Sequence, residues 1–95
     1  MMEKKELARR IADKATIHGT FRLRSGAVSD IYFDKYLFEA DPELLREIAT
    51  AIKDLVPPEA EALAGLEMGG IPLATMISQQ TGLPALFVRK KAKDY

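Results

Sequence analysis

Apolar residues recur along this chain with two different periods. Leu7, Ala8, Ile11, Ala12 and Ala15 fall at helical spacing, with Lys4, Lys5, Arg9, Arg10 and Asp13 elsewhere on the wheel. The pattern predicts an amphipathic helix over residues 3–16, with His18-Gly19 read as its end. The period then drops to two. Phe21 and Leu23 alternate with Thr20, Arg22 and Arg24, and Ile31 and Phe33 alternate with Tyr32 and Asp34, which predicts two short strands around a Ser25-Gly26 turn.

Asp41-Pro42-Glu43 is a strong helix start, combining an N-cap carboxylate, a first-turn proline and an acid near the positive end of the dipole. Leu44, Leu45, Ile48, Ala49, Ile52, Leu55 and Val56 carry one stripe onward until Pro57-Pro58 breaks it. The continuous apolar run Ala62-Leu63-Ala64-Gly65-Leu66 reads as a parallel strand. After Gly69-Gly70, Ile71-Pro72 is expected to open a helix that ends near Thr81-Gly82, and residues 85–89 form the last strand. Helix–strand–helix–strand order marks an α/β fold with a parallel sheet. Two parallel strands cover little by themselves, so the order reads as the opening of a larger α/β domain.

Composition narrows the function. Ninety-five residues suit one small domain. Hydrophobic residues at 47% and charged ones at 29% exclude intrinsic disorder. Zero net charge gives no global field for nucleic acid or membrane, so electrostatic work falls to local clusters. With no cysteine there is no disulfide framework or thiolate metal site, as in a reducing cytoplasm. One histidine, His18, builds neither a multi-histidine metal site nor a Ser-His-Asp set. The apolar runs are far too short for a membrane-spanning helix, and the charged start has no signal-peptide pattern.

Three stretches carry candidate chemistry. Glu67-Met68-Gly69-Gly70 lies between a strand and a helix, where free N–H groups bind anions; the same residues also suit a tight connection with no ligand. Arg89-Lys90-Lys91-Ala92-Lys93-Asp94-Tyr95 leaves the last strand at the same sheet edge, which adds to the case for a polyanion such as a pyrophosphate; by composition alone the run suits a solvated face or a weak nucleic-acid patch as well. Arg24, Tyr32 and Phe33 offer a cation and aromatic faces to a planar ring, or simply hairpin surface and core.

Taken together, Gly19 to Asp34 (G-x-F-x-L-x-S-G-x-x-S-x-x-Y-x-D), GLEMGGIPLA and VRKKAKDY resemble the orotate phosphoribosyltransferases. The resemblance implies an incomplete parallel-sheet type I phosphoribosyltransferase fold: a helix-plus-hairpin hood region over 1–40, then the first α/β units of the core over 41–95. It implies transfer of phosphoribosyl from 5-phosphoribosyl 1-diphosphate (PRPP) to orotate. The products are orotidine 5′-monophosphate and pyrophosphate, with Mg²⁺ held through PRPP rather than by protein ligands.

By that resemblance Arg89, Lys90 and Lys93 fall on PRPP-binding positions, Lys93 being the chief catalytic cation. Met68 and Gly69 fall on the pyrophosphate turn, where some relatives carry Tyr-Lys, so the turn's own cation is missing. Arg24 replaces a PRPP-contacting lysine, Tyr32 and Phe33 stand where orotate packs, and Tyr95 stands where relatives have a histidine. A cytoplasmic homodimer is implied, with no nucleic-acid partner. The chain is expected to be an amino-terminal half that ends inside a mobile loop, before the ribose 5-phosphate segment, and to be inactive alone. Alternative readings are a purine phosphoribosyltransferase, a PRPP-sensing regulator, or a non-catalytic interaction or folding fragment.

Overall fold

A carboxylate and a proline start the central helix. In the computed structural model, which describes residues 2–91, Asp41 accepts hydrogen bonds from the N–H groups of Glu43 and Leu44, each at 3.1 Å. Those bonds satisfy donors that a helix start otherwise leaves open. The helix they begin, α3 (Pro42–Lys53), buries Leu44, Leu45, Ile48 and Ala49. Ahead of it lie α1 (Lys4–Ala15), β1 (Thr16–Arg22), β2 (Val28–Phe33) and the short α2 (Lys35–Glu39). After it come β3 (Leu63–Leu66), α4 (Glu67–Thr81) and β4 (Ala85–Val88). The core forms where Leu7 of α1 meets Leu44 and Ile48 of α3, flanked by Ile11, Phe38, Ile52 and Leu73.

β1 and β2 form an antiparallel hairpin. Thr16 pairs with Phe33 and His18 with Ile31, but Phe21 then pairs with Ser29, so β1 carries an extra residue between His18 and Phe21. Gly19 sits in that bulge, where a Cβ would meet the Phe21 ring at 3.1 Å. This corrects the sequence reading of His18-Gly19 as a helix end. The helix stops at Ala15, and both residues belong to the strand. The β-branched pair Thr16-Ile17 suits extended backbone, and the hairpin ladder gives it a partner. At the predicted Ser25-Gly26 turn, Gly26 adopts φ +90° and donates its N–H to the Leu23 carbonyl at 2.9 Å.

The second half is the expected α/β unit. β3 and β4 pair in parallel, Leu63 with Ala85 through Leu66 with Val88, and α4 connects them. Helix α4 begins earlier than Ile71-Pro72, however. It starts at Glu67, so Gly69 and Gly70 lie in its first turn and not in a loop before it. The chain switches from strand to helix at one residue, Glu67, which takes φ +55°. A left-handed conformation at a residue with a side chain costs roughly 1–2 kcal/mol. Close packing fixes the start: a Cβ on Gly65 would come within 2.8 Å of the Gly70 carbonyl oxygen and the Ile71 Cα. Gly82, at φ +80°, ends the helix as predicted, its N–H bonded to the Ser78 carbonyl.

Candidate functional site

In-register parallel strands end side by side, and so do the residues that follow them. Leu66 pairs with Val88, so Glu67 and Arg89 emerge together at the carboxyl edge of the sheet. With Met68, Ile71 and Phe87 they line a cleft of about 380 Å³. Met68 and Phe87 are 64% and 62% exposed, which gives the cleft two open apolar walls and leaves Arg89 as its cation. Across the mouth, the N–H of Lys90 donates to the Glu67 carboxylate. The glycine-bearing turn and the base of the basic segment therefore share one rim.

The first turn of α4 leaves backbone N–H groups without helical partners. Pro72 lacks the N–H that would otherwise bond the Met68 carbonyl, so this turn is held mainly by its packing on β3. Gly70 meets the strand backbone at Gly65. Gly69 faces elsewhere: a Cβ there would collide with the Lys35 ammonium and lie 2.8 Å from its Cε. Lys35 is the first residue of α2, whose N-cap, Asp34, accepts the Tyr36 N–H at 3.0 Å. At the far end of α2, Glu39 carries a buried carboxylate oxygen with no hydrogen-bond partner among the described residues. Burial pushes its pKa up, and the Lys35 charge pulls against that shift.

Of the sequence-derived candidates, the structure joins Met68 and Arg89 in the cleft and ties Lys90 to its rim through Glu67, while Gly69, one residue on from Met68, does not line the cleft and meets Lys35 instead. The sequence reading did not single out Lys35, because its tie to Gly69 is a tertiary contact between separate elements. Arg24 does not line the cleft; it sits exposed at the hairpin tip. Tyr32 and Phe33 are strand neighbours, so their side chains point to opposite faces. The Tyr32 ring lies 5.6 Å from that of Phe21, and the Phe33 ring 6.1 Å from that of Phe38. They form no joint platform, and neither reaches the cleft. Lys93 and Tyr95 lie outside the described residues.

Comparison with solved structures gives the same architecture. The fold aligns with a Mycobacterium tuberculosis orotate phosphoribosyltransferase at TM-score 0.78 and 30% identity, covering 95% of this chain and 53% of that one. It also aligns with the Aeropyrum pernix enzyme at TM-score 0.72 and 26% identity, covering 94% of this chain and 52% of the other. The architecture is that of part of a type I phosphoribosyltransferase.

Among curated sequences, the orotate phosphoribosyltransferase of a Nocardioides species is 58% identical over 77 residues, which is 81% of this chain and 43% of that protein. The Halobacterium salinarum enzyme is 47% identical over 93% of this chain and 49% of its own length. No family model matches the sequence. The chain is similar to part of the orotate phosphoribosyltransferases and spans about half the length of the curated relatives it matches.

Proposed function

We propose that this chain carries the diphosphate-gripping part of an orotate phosphoribosyltransferase site. One observation supports this reading above the others: Met68 and Arg89, from two separate turns, line a single cleft at the sheet edge. In the reaction, orotate N1 gives up its proton to solvent and forms a bond to C1′ of PRPP, while the bond from C1′ to the diphosphate oxygen breaks and its electron pair leaves with pyrophosphate. Negative charge builds on the departing pyrophosphate. Catalysis then consists of placing the two reactants and stabilising that charge, and it needs no protein nucleophile.

In this reading the first-turn N–H groups at Met68 and Gly69 donate to the diphosphate oxygens, as helix starts do to anions. Arg89 and Lys90 bring positive charge from the other side, and Lys93, outside the described residues, completes the set as the chief cation of the transition state. Arg24 is assigned to PRPP and Tyr32 and Phe33 to orotate. Since the two rings face apart, one of them stacks on the base and the other supports the hairpin.

The residues fit a magnesium ion that arrives with its substrate. The cleft offers a single carboxylate, Glu67, already accepting from Lys90. Among the described residues no cluster of three or more acidic, histidine or cysteine side chains is placed to hold a metal. Mg²⁺ commonly binds through substrate phosphates with few protein ligands, and it supplies neutralising charge to the leaving group. Cytoplasmic location and a homodimer belong to the same proposal. No helix among the described residues is long and apolar enough to cross a membrane. The exposed Leu66, Leu86 and Phe87 on the small sheet supply apolar surface for association.

The test separates binding from turnover. The purified chain is expected to bind PRPP with Mg²⁺ yet release no orotidine 5′-monophosphate. Product formation, at substrate levels that serve a full-length relative, would contradict the expected inactivity. Failure to bind either PRPP or pyrophosphate would contradict the proposed site itself.

A further inference from the structure

We infer that Lys35, reaching over from α2, supplies the positive charge that the turn at Met68-Gly69 lacks. This assignment rests on the proposal that the turn binds a diphosphate. The geometry is specific. The Lys35 ammonium occupies the space in which a Cβ on Gly69 would begin, so the side chain lies directly on the Gly69 backbone. Any larger residue at 69 displaces Lys35. Glycine at 69 and lysine at 35 therefore form a matched pair, with one position giving up its side chain so that the other can deliver a cation to the same place.

Electrostatics points to an anion between them. The start of a helix carries partial positive charge, so an ammonium on the first turn of α4 meets a field of its own sign. Arg89 opens into the cleft formed by the same turn and adds a further positive charge. Among the described residues Lys35 makes no ion pair within salt-bridge distance. The acids on these elements have other constraints, beginning with Asp34, the N-cap that accepts the Tyr36 N–H. Glu67 accepts the Lys90 N–H, and Glu39 is partly buried on the far end of α2, where Lys35 offsets its charge only at longer range. A ligand bearing several negative charges, such as a diphosphate, relieves the like charges gathered on this turn.

Inorganic pyrophosphate with Mg²⁺, titrated calorimetrically into the full chain, tests the assignment. Lys35→Gln is expected to weaken binding about tenfold, the scale of one lost charge-assisted hydrogen bond. Lys35→Arg should stay within a few-fold of the wild type by the same reasoning. Gly69→Lys alone should bind poorly because two side chains compete for one space. The double variant Lys35→Ala with Gly69→Lys should recover most of the lost affinity, an outcome that a purely structural lysine does not produce. As a readout needing no substitution, the Lys35 Nζ resonance of the wild-type chain should shift when pyrophosphate is added.

Three results would overturn the inference while leaving the diphosphate site intact. They are wild-type binding matched by Lys35→Gln, an unmoved Lys35 Nζ signal at saturation, or loss of thermal stability in Lys35→Gln with affinity unchanged. The last would make Lys35 a partner of Glu39 only. Absence of pyrophosphate and PRPP binding in the wild type would instead overturn the functional reading, and this inference with it.

Discussion

The Lys90 N–H donates to the carboxylate of Glu67, which links the residue after one parallel strand to the second residue after the other. Glu67 is also the non-glycine residue that adopts a left-handed conformation among those described, at φ +55°. Backbone strain and a hydrogen bond across the cleft thus meet at one position. Strain of this kind persists where the surroundings hold it in place, and it concentrates at functional sites. Here it lets β3 pass into α4 without a loop, so that the first turn of the helix opens on the sheet edge.

Replacing Glu67 separates the two effects. Glu67→Ala keeps a Cβ in the left-handed conformation and removes the acceptor, so the Lys90 amide should lose its protection from hydrogen exchange. Glu67→Gly removes the same acceptor but relieves the strain, and it should be more stable than the alanine variant by roughly 1 kcal/mol. Urea denaturation of the pair checks the order. An alanine variant more stable than the glycine variant would contradict the left-handed conformation.

Gly65 makes the close approach of helix to strand possible. In Gly65→Ala the added methyl group meets backbone, not a flexible side chain, at 2.8 Å. Either α4 shifts away from β3 or the domain loses stability, at a cost of about 1–3 kcal/mol by the usual scale of overpacking. Denaturation midpoints measure the loss. An unchanged midpoint, with unchanged amide shifts at Gly70 and Ile71, would mean that the two backbones do not touch.

Two carboxylates give opposite pH dependences. The Leu44 N–H, and after it the Lys14 charge, hold Asp41 below the ordinary aspartate pKa. Its contribution to stability is therefore complete above the unfolded value and is lost as pH falls through the lowered one. Burial raises Glu39 against the pull of Lys35, so ionising it costs stability as pH rises from the ordinary glutamate value through the raised one. Asp41→Asn should flatten the acid-side loss, and Glu39→Gln should remove the loss on the rising side. Stability measured against pH for the two variants checks both signs, and the reverse pattern would contradict the assignments.

What the sequence reveals here follows from how local each cause is. Asp41-Pro42 and the stripe from Leu44 are local signals, and α3 starts where they place it; it ends at Lys53, short of Leu55 and Val56, and Leu55 lies exposed beyond it. The run Leu63–Leu66 and the Gly82 stop are local in the same sense. The five-residue α2 escapes notice because one turn is too short to show a period. His18-Gly19 reads as punctuation, yet the hairpin ladder takes both residues into β1. Gly69-Gly70 reads as a loop because nothing in the local sequence reveals that Glu67 switches the backbone by itself. Convergence of the two turns was legible from strand order and the rule for ligand sites in parallel sheets. Lys35 was not, since only the folded arrangement carries it to Gly69.

The decisive measurement follows backbone amides of the chain by NMR while pyrophosphate and Mg²⁺ are added. Saturable shifts with one common dissociation constant are expected at Met68 and Gly69 on the first turn of α4, and at Arg89 and Lys90 beyond β4. Shifts confined to one of these segments, or none at either, would contradict the claim that both grip a single diphosphate.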